Sequence, residues 1–204
     1  MLSPAIQNLI ALFSKFPGIG PKTAERFVFY LSSQNKAQAK ELITAIVELK
    51  NKVKNCSLCS KTFEGQTEFC EICSNPSRDK SIICIVEKET DLEAIEKTSQ
   101  FKGIYFILGG VLTDRQKEKI EQKVAELIEK IRKIASAPAG FVAVKEIILA
   151  LNPTPEGRTT SLFLKRKIAP LQIKTTLLGV GLPLGSELEY ADEETLSLAL
   201  DNRK

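Results

Sequence analysis

Four of the five cysteines stand in two CxxC pairs, Cys56 with Cys59 and Cys70 with Cys73, and ten residues separate the pairs. Each pair can present two thiolates from one tight turn, and two such turns complete a tetrahedral site of the kind that holds structural zinc. Four protein ligands leave no position for an activated water. The spacing therefore predicts one structural Zn²⁺ per chain. Disulfide pairing is the alternative, which a cytosolic location disfavours.

The stretch FPGIGPKTAERF places two prolines and two glycines within five residues, between two segments with helical periodicity. Pro17 is expected to end the first helix, and Pro21 suits the first turn of the second. Gly18 and Gly20 permit turn conformations that residues with side chains rarely adopt. Because they have no side chain, a ligand can approach their backbone closely. The pattern predicts a helix–hairpin–helix.

Two cations follow this hairpin, Lys22 in the first helical turn and Arg26 four residues later on the same face. Because helix-opening N–H groups also attract anions, phosphate is the natural ligand, without base specificity. Residues 1–54 carry eight Lys or Arg and three Glu, a net charge of +5, so the remainder of this +4 chain sums to −1. We predict binding to the DNA backbone; a plain turn beside a solvated lysine-rich surface is the alternative.

The chain has no histidine, which excludes His-containing catalytic triads, His metal ligands and the commonest general base. Its 43% hydrophobic and 26% charged residues are ordinary for a globular protein. No apolar run approaches membrane-spanning length, and the N-terminus lacks a basic lead and a small-residue cleavage site. We expect a cytosolic protein with no membrane association.

After the cysteines, apolar runs alternate with helical patterns. The runs, which read as strands buried on both faces of a parallel sheet, are residues 81–87, 104–110, 146–152 and 174–180. Helical periodicity marks residues 91–98, 115–134 and 158–168. This alternation predicts an α/β domain with right-handed crossovers. Ligand chemistry would belong at the carboxyl ends of the strands, where Glu87 and residues 152–157 stand.

The order of these motifs resembles the RecR family of bacterial recombination mediator proteins. The resemblance runs from about residue 6 to residue 203, through PGIGPKTAERF, the cysteine pattern, CIVEKETDLEAIEKT, ILALNPTPEGRTT and GVGLPLGSELEYADEETLSLAL. It implies a multi-domain α/β fold with four parts. These are a helix–hairpin–helix DNA-binding and oligomerisation domain (1–54), a four-cysteine zinc finger (55–77), a Rossmann-like Toprim domain (78–175) and a C-terminal oligomerisation tail (176–204).

The resemblance also implies a function, that of a non-enzymatic DNA-binding mediator of recombinational DNA repair. A family member forms a ring-like homotetramer that clamps single- or double-stranded DNA without sequence specificity. It acts with RecO and RecF to help load RecA on gapped DNA coated with single-strand-binding protein, and is cytoplasmic and nucleoid-associated. The family's hairpin Lys and Arg contact DNA, and they correspond to Lys22 and Arg26 here.

Toprim enzymes use a glutamate after the first strand and a DxD pair that together bind magnesium. Glu87 matches the glutamate, but Asn152-Pro153-Thr154 stands where DxD would fall, which removes two carboxylates from a site whose cation needs them. We therefore expect a Toprim fold without catalysis. Glu87 and Glu156 are interpreted as partner-binding residues, with a solvated strand-end charge as the alternative for Glu87. A metal-dependent nuclease or primase-like enzyme that uses both glutamates is the alternative function.

The chain departs from the family after the second strand of this domain. A Gly- and Pro-containing loop of the kind SPLDGIGP is there replaced by residues 109–114, which lead directly into the long helix. The shortened loop is expected to alter ring geometry or partner affinity. Near the C-terminus, Asp192 with two following glutamates favours the start of a short helix that runs to Leu200. Its leucines are expected to pack internally or against another subunit.

Overall fold

The structure, a computed structural model, describes residues 2–136, 143–179, 181–182 and 184–201, without the side chains of 133–136 and 201. The chain divides into two compact units, residues 1–54 and 55–204. Val180, Pro183 and residues 202–204 of the predicted tail lie outside the described residues. None of the helices described has both the length and the apolar content of a membrane span.

The first unit consists of three helices. They are α1 (Pro4–Phe13), α2 (Pro21–Ser33) and α3 (Lys36–Lys52). Phe13 of α1 packs edge-on against Phe27 of α2, with ring centroids 6.0 Å apart, so the predicted helix pair is formed. The expectation that Pro17 ends α1 is wrong. The helix ends at Phe13 with Ser14 as its cap, and a tight turn, in which Lys15 N–H donates to Leu12 O, precedes Pro17.

Helix α3 is an element that the patterns above do not predict. It begins with a capping box, in which Asn35 Oδ1 accepts from Gln38 N–H at 2.9 Å and Gln38 Oε1 accepts from Asn35 N–H at 3.2 Å. Lys50 and Lys52 in its last turn complement the negative end of the helix dipole. These local signals account for the position of both ends of the helix.

The cysteine region and an α/β domain follow. Their elements are β1 (Val53–Asn55), β2 (Thr62–Glu64), α4 (Glu71–Ser74), β3 (Asp79–Val86), α5 (Glu89–Lys97), β4 (Gly103–Ile107), α6 (Lys117–Ser136), β5 (Glu146–Ala150), α7 (Pro155–Ile168), β6 (Lys174–Leu177) and α8 (Glu193–Asp201). Strands β3 to β6 form one sheet in the order β4-β3-β5-β6, and every pair in it is parallel. The predicted α/β fold with helical crossovers is confirmed.

Each face of this sheet carries its own buried cluster, because successive side chains of a strand point to opposite sides. On one face, Ile83 and Ile85 pack with helices α6 and α7. On the other face, Cys84 and Val86 pack with α5 and the four paired cysteines. Burial on both faces explains why the strands appear in the sequence as continuous apolar runs.

Helix α7 begins at Pro155, three residues before the predicted start. Thr154 is its N-cap, with Oγ1 accepting from Gly157 N–H at 3.1 Å, and Pro155 occupies the first helical position, where a missing N–H costs nothing. A Cβ at Gly157 would lie 2.0 Å from the carbonyl oxygen of Asn152, so only glycine fits there. Glu156 therefore lies in the first turn of a helix and not in a loop.

Candidate functional site

The hairpin between α1 and α2 has the features of a type II turn. Ile19 N–H donates to Phe16 O at 3.1 Å, and between them Pro17 precedes Gly18, which has a φ of +76°. This left-handed conformation requires glycine, as predicted. Gly20 instead has a φ of −84° and a ψ of 169°, extended backbone that any residue adopts. The expectation that Gly20 needs a special turn conformation is therefore wrong.

The backbone of the hairpin is accessible at both glycines. A Cβ built on Gly18 or Gly20 would meet no atom within 4 Å. Gly20 is the N-cap of α2 and offers no side-chain hydrogen bond, and the first turn of the helix contains no acidic residue. The N–H groups that open α2 are left for an external acceptor, at the positive end of the helix dipole.

Lys22 and Arg26 both lie exposed on α2. Ala24 and Val28, which are buried, alternate with them along the helix. Because residues two apart in a helix point about 200° away from each other, the two cations occupy the face opposite the packed one. The structure thus brings together on one surface the open hairpin, the uncapped helix start and two cations.

The four predicted metal ligands also come together. The Sγ atoms of Cys56, Cys59, Cys70 and Cys73 all lie within 4.8 Å of one another, and all four residues are buried. Cys59 Sγ and Cys70 Sγ are 3.5 Å apart. Zinc–sulfur bonds of about 2.3 Å in a tetrahedron require sulfurs about 3.8 Å apart, whereas a disulfide requires about 2.05 Å. The arrangement fits a four-thiolate metal site, the only cluster of three or more such ligands among the described residues.

Backbone groups support the sulfur atoms. Lys61 N–H donates to Cys59 Sγ at 3.4 Å, and Cys70 N–H donates to Cys56 Sγ at 3.3 Å. Such donors orient thiolate ligands and stabilise their negative charge. Hydrogen bonds from the thiols of Cys59 and Cys73 lower the pKa of the Cys70 thiol, which favours its thiolate form.

Two hydrogen bonds connect the cysteine region to the α/β domain. Ile107 N–H at the end of β4 donates to Cys59 O at 2.9 Å, and Lys130 Nζ of α6 donates to Leu58 O at 3.1 Å. The four ligands belong to the same buried cluster as Cys84 of β3, which lies in the sheet as predicted. This region has no separate core, because its buried side chains pack against the sheet.

At the carboxyl edge of the sheet, Glu87 follows β3 and Asn152 follows the adjacent strand β5. Asn152 Nδ2 donates to Glu87 Oε2 at 2.6 Å. An amide donor thus occupies the position beside Glu87 where a Toprim enzyme has carboxylates. Glu156 is exposed in the first turn of α7, where the helix dipole stabilises its negative charge.

The loop after β4, interpreted from the sequence as shortened, is hydrogen-bonded to the same edge. Glu87 O accepts from Gly109 N–H at 2.8 Å and from Gly110 N–H at 3.1 Å. Both glycines have positive φ angles, +82° and +144°, a backbone conformation that favours glycine. Leu112 N–H then donates to Thr160 Oγ1 of α7 at 2.8 Å, so this loop is hydrogen-bonded to helix α7 as well.

The C-terminal helix α8 begins as predicted, with Asp192 Oδ1 accepting from Thr195 N–H at 2.8 Å. Its first turn contacts α7, because Arg158 and Glu194 form a hydrogen-bonded ion pair. The Arg158 charge that follows Glu156 in the sequence is therefore balanced by a carboxylate 36 residues away. A groove of about 660 Å³, lined partly by Leu151, separates α7 from α8.

Three family profiles match successive parts of the chain. One described as RecR, helix-hairpin-helix matches residues 6–50, a Toprim domain profile matches 81–178, and one described as RecR, C-terminal matches 181–204. The chain is also similar to three proteins named Recombination protein RecR. These come from Chloroherpeton thalassium (41% identical over 202 residues), Chlorobium chlorochromatii (42% over 203) and Bifidobacterium adolescentis (43% over 201). Each alignment covers 98% of this chain and 97%, 97% and 96% of the respective relative. This protein therefore belongs to the RecR family.

Proposed function

We propose that the protein is a DNA-binding mediator of recombinational repair that has no catalytic activity of its own. The hairpin carries the proposal, because Lys22 and Arg26 are exposed beside the open backbone of Gly18 and Gly20 at an uncapped helix start. Phosphate contacts of this kind contain no base information. Binding should therefore be independent of sequence, on single- and double-stranded DNA alike.

In this function the protein acts as a ring-like homotetramer with RecO and RecF, and it helps to load RecA on gapped DNA coated with single-strand-binding protein. Exposed apolar surface supports an assembly. Helix α3 has no buried residue, and its exposed side chains at helical spacing include Leu42, Ile43, Ile46 and Val47. A contiguous apolar stripe of this kind is typical of an interface, because water contact with it is unfavourable.

RecO or RecF would contact the carboxyl edge of the sheet through Glu87 and Glu156. Glu156 is exposed in the first turn of α7, whereas Glu87 is half-buried and hydrogen-bonded to Asn152. Glu156 is thus the residue more accessible to a basic partner surface. Loss of RecO or RecF binding in Glu156→Gln, measured with purified proteins, would support this assignment, and unchanged binding would contradict it.

Zinc is the metal that the four-cysteine site fits best. Four buried sulfur donors suit Zn²⁺ and do not suit Mg²⁺ or Ca²⁺, which prefer oxygen ligands. A bound zinc ion would cross-link the two CxxC turns and would have no catalytic role.

The division of the chain into domains at residues 54, 77 and 175 is likewise part of the proposal. In it, the zinc region packs on the Toprim domain.

The nuclease or primase-like alternative is not favoured. Its magnesium site would need carboxylates beside Glu87, and the adjacent position holds the donating amide of Asn152.

Salt-titrated DNA binding by Lys22→Ala/Arg26→Ala tests the function. One phosphate contact contributes about 0.7–0.9 to the log–log salt slope, so two lost contacts should weaken binding on the order of 30-fold at 0.1 M salt. The loss should be the same for unrelated DNA sequences. Lys36→Ala/Lys40→Ala, which removes equal charge from exposed positions of α3, is the matched control. Unchanged affinity and slope in a folded variant, or an equal loss in the control, would contradict the proposal.

A further inference from the structure

The amino ends of the four parallel strands meet at the sheet edge opposite Glu87. Each strand has a lysine at or next to its first residue, namely Lys80 in β3, Lys102 before β4, Lys145 before β5 and Lys174 in β6. Because the strand order is β4-β3-β5-β6, these lysines follow one another across the sheet. Neighbouring strands lie about 4.8 Å apart, so the row spans about 14 Å.

The register of the strand pairs places the four lysines at similar positions along the strand direction. Asp79 is aligned with Gly103, Ile82 with Glu146, and Glu146 with Lys174. The four lysines therefore fall within about four residue positions along the strand direction, or roughly 13 Å. Lys102, Lys145 and Lys174 are exposed, and Lys80 is half-exposed.

Helix α7 adds two cations to the same edge. It starts beside Asn152 at the carboxyl edge and leads back to the beginning of β6. Its 14 residues span about 21 Å, enough to reach the amino ends of strands that are about 17 Å long. Arg166 and Lys167 in its last turn are exposed. We call the surface formed by Lys80, Lys102, Lys145, Lys174, Arg166 and Lys167 the amino edge.

The charge of the amino edge is only partly balanced by nearby carboxylates. Residues 55–204 sum to −1, yet the amino edge gathers six cations, with Asp79 and Glu146 as the carboxylates in the same strand starts. Glu146 pairs with Lys174 at 3.2 Å. Asp79 accepts from Ser81 N–H at 2.9 Å and also interacts electrostatically with Lys145, as Glu96 does with Lys102. Within the described part of the chain, no carboxylate oxygen lies within 4.0 Å of the Lys145, Arg166 or Lys167 side-chain nitrogens.

We propose that the amino edge is a second contact for the DNA backbone, separate from the hairpin. This inference rests on the proposed DNA-binding function. Lysines act as flexible point charges, which suits repeated phosphates without base readout. Among the described residues, the exposed Leu177 and Leu178 lie at the opposite end of β6, which favours a polyanion at the amino edge over an acidic peptide held by apolar contacts.

The test compares two triple variants of the zinc-loaded full-length protein. Lys145→Gln/Arg166→Gln/Lys167→Gln removes three charges from the amino edge. The control, Lys88→Gln/Arg115→Gln/Lys117→Gln, removes three exposed charges near the opposite edge. Binding to labelled single-stranded and duplex DNA of two unrelated sequences is measured by fluorescence anisotropy as a function of salt.

The amino-edge variant should bind at least about five-fold more weakly at 0.1 M salt, with a salt slope smaller by about 0.7 or more, the contribution of one phosphate contact. The control should change by less than about two-fold, because distant exposed charges are screened. If thermal unfolding shows that the triple variant is not folded, Lys145→Gln alone takes its place and should show a loss of the same kind.

The possible outcomes separate this inference from the proposed function. Full binding by the amino-edge variant, together with a loss in Lys22→Ala/Arg26→Ala, would overturn the inference and leave the function standing. Full binding by both would overturn both. Equal losses in the amino-edge and control variants would also overturn the inference. A labelled oligoglutamate peptide that binds the wild type but not the amino-edge variant, with DNA binding unchanged, would assign the surface to an acidic protein instead.

Discussion

Asn152 donates its side-chain amide to Glu87 Oε2 over 2.6 Å, across the carboxyl ends of two neighbouring parallel strands. The residues are 65 positions apart in the chain. The contact satisfies the Glu87 carboxylate without a cation, whereas an aspartate at position 152 would repel it. This one hydrogen bond distinguishes the carboxyl edge of this protein from a magnesium-binding Toprim site.

Asn152→Asp should therefore convert a stabilising contact into a repulsive one. We expect the free energy of unfolding at pH 7 to fall by about 1–3 kcal/mol, because a donor facing a carboxylate is replaced by a second carboxylate. Magnesium should raise the Tm of the variant and not that of the wild type. Calorimetry of both proteins at pH 7, with and without Mg²⁺, measures this. Mg²⁺-dependent DNA cleavage by the wild type that disappears in Glu87→Gln would instead favour an enzyme.

Each chain should contain one zinc ion, bound by the four clustered cysteines. Cys56→Ser and Cys73→Ser should lose the metal, because three thiolates cannot complete the tetrahedron. Since Cys59 O accepts from Ile107 N–H of β4, the loss should also speed hydrogen exchange at the end of that strand. Metal analysis and exchange mass spectrometry test both points.

Cys84→Ala is the matched control for the cysteine variants. Cys84 is buried in β3, where burial raises the pKa of its thiol to about 12, and it is not one of the clustered ligands. This variant should keep its zinc. Loss of zinc from Cys84→Ala, or retention by Cys56→Ser, would contradict the assigned ligand set.

Gly18 and Gly20 should respond differently to substitution. Gly18→Ala places a side chain at a φ of +76° and should destabilise the first unit by about 1–2 kcal/mol. Gly20→Ser places a good N-cap in open space and should leave stability the same or higher by a few tenths of a kcal/mol. Its hydroxyl would, however, occupy the N–H groups assigned to phosphate and weaken DNA binding. Full DNA binding by a stable Gly20→Ser protein would show that the helix start is not used.

The stability of the α/β domain should depend on pH through Glu96. A hydrogen bond from Arg78 holds the pKa of the Glu96 carboxyl below its ordinary value of 4.5, and Tyr105 OH also donates to it at 2.7 Å. Because the folded-state pKa is depressed, the stabilisation is present above pH 4.5 and is lost as the pH falls through the folded-state value. Glu96→Gln should therefore be less stable than wild type near pH 6, with the difference shrinking towards pH 3.5.

Urea unfolding of both proteins across this pH range measures the difference directly, since any loss of metal at low pH affects both alike. Glu64→Gln, which changes an exposed carboxylate, is the control and should follow the wild type. A difference between Glu96→Gln and wild type that stays constant from pH 6 to pH 3.5 would contradict the role of ionised Glu96.

The elements whose signals are local could be predicted from the sequence. The Cys56–Cys73 spacing, the Pro-Gly hairpin, the four apolar runs and the cap at Asp192 each depend on residues within about twenty positions of one another. Backbone conformation, capping and strand or helix periodicity act over such distances, so the type and order of these elements were readable from the chain. The sequence predicts the first and last residues of these elements less accurately. Helix α1 ends before Pro17, and helix α7 begins three residues before the predicted start.

The tertiary structure decided which distant side chains meet. The amide of Asn152 faces Glu87, Glu194 balances Arg158, and the cysteine region shares its core with the sheet, although nothing local specifies these contacts. The same holds for the amino edge, whose cations come from the starts of four strands and from the last turn of α7 and become neighbours only through parallel pairing and helix packing. A strand or helix pattern states which face of an element is buried. Which element covers that face, and which charges then stand side by side, follows only from packing the whole chain into one low-energy arrangement.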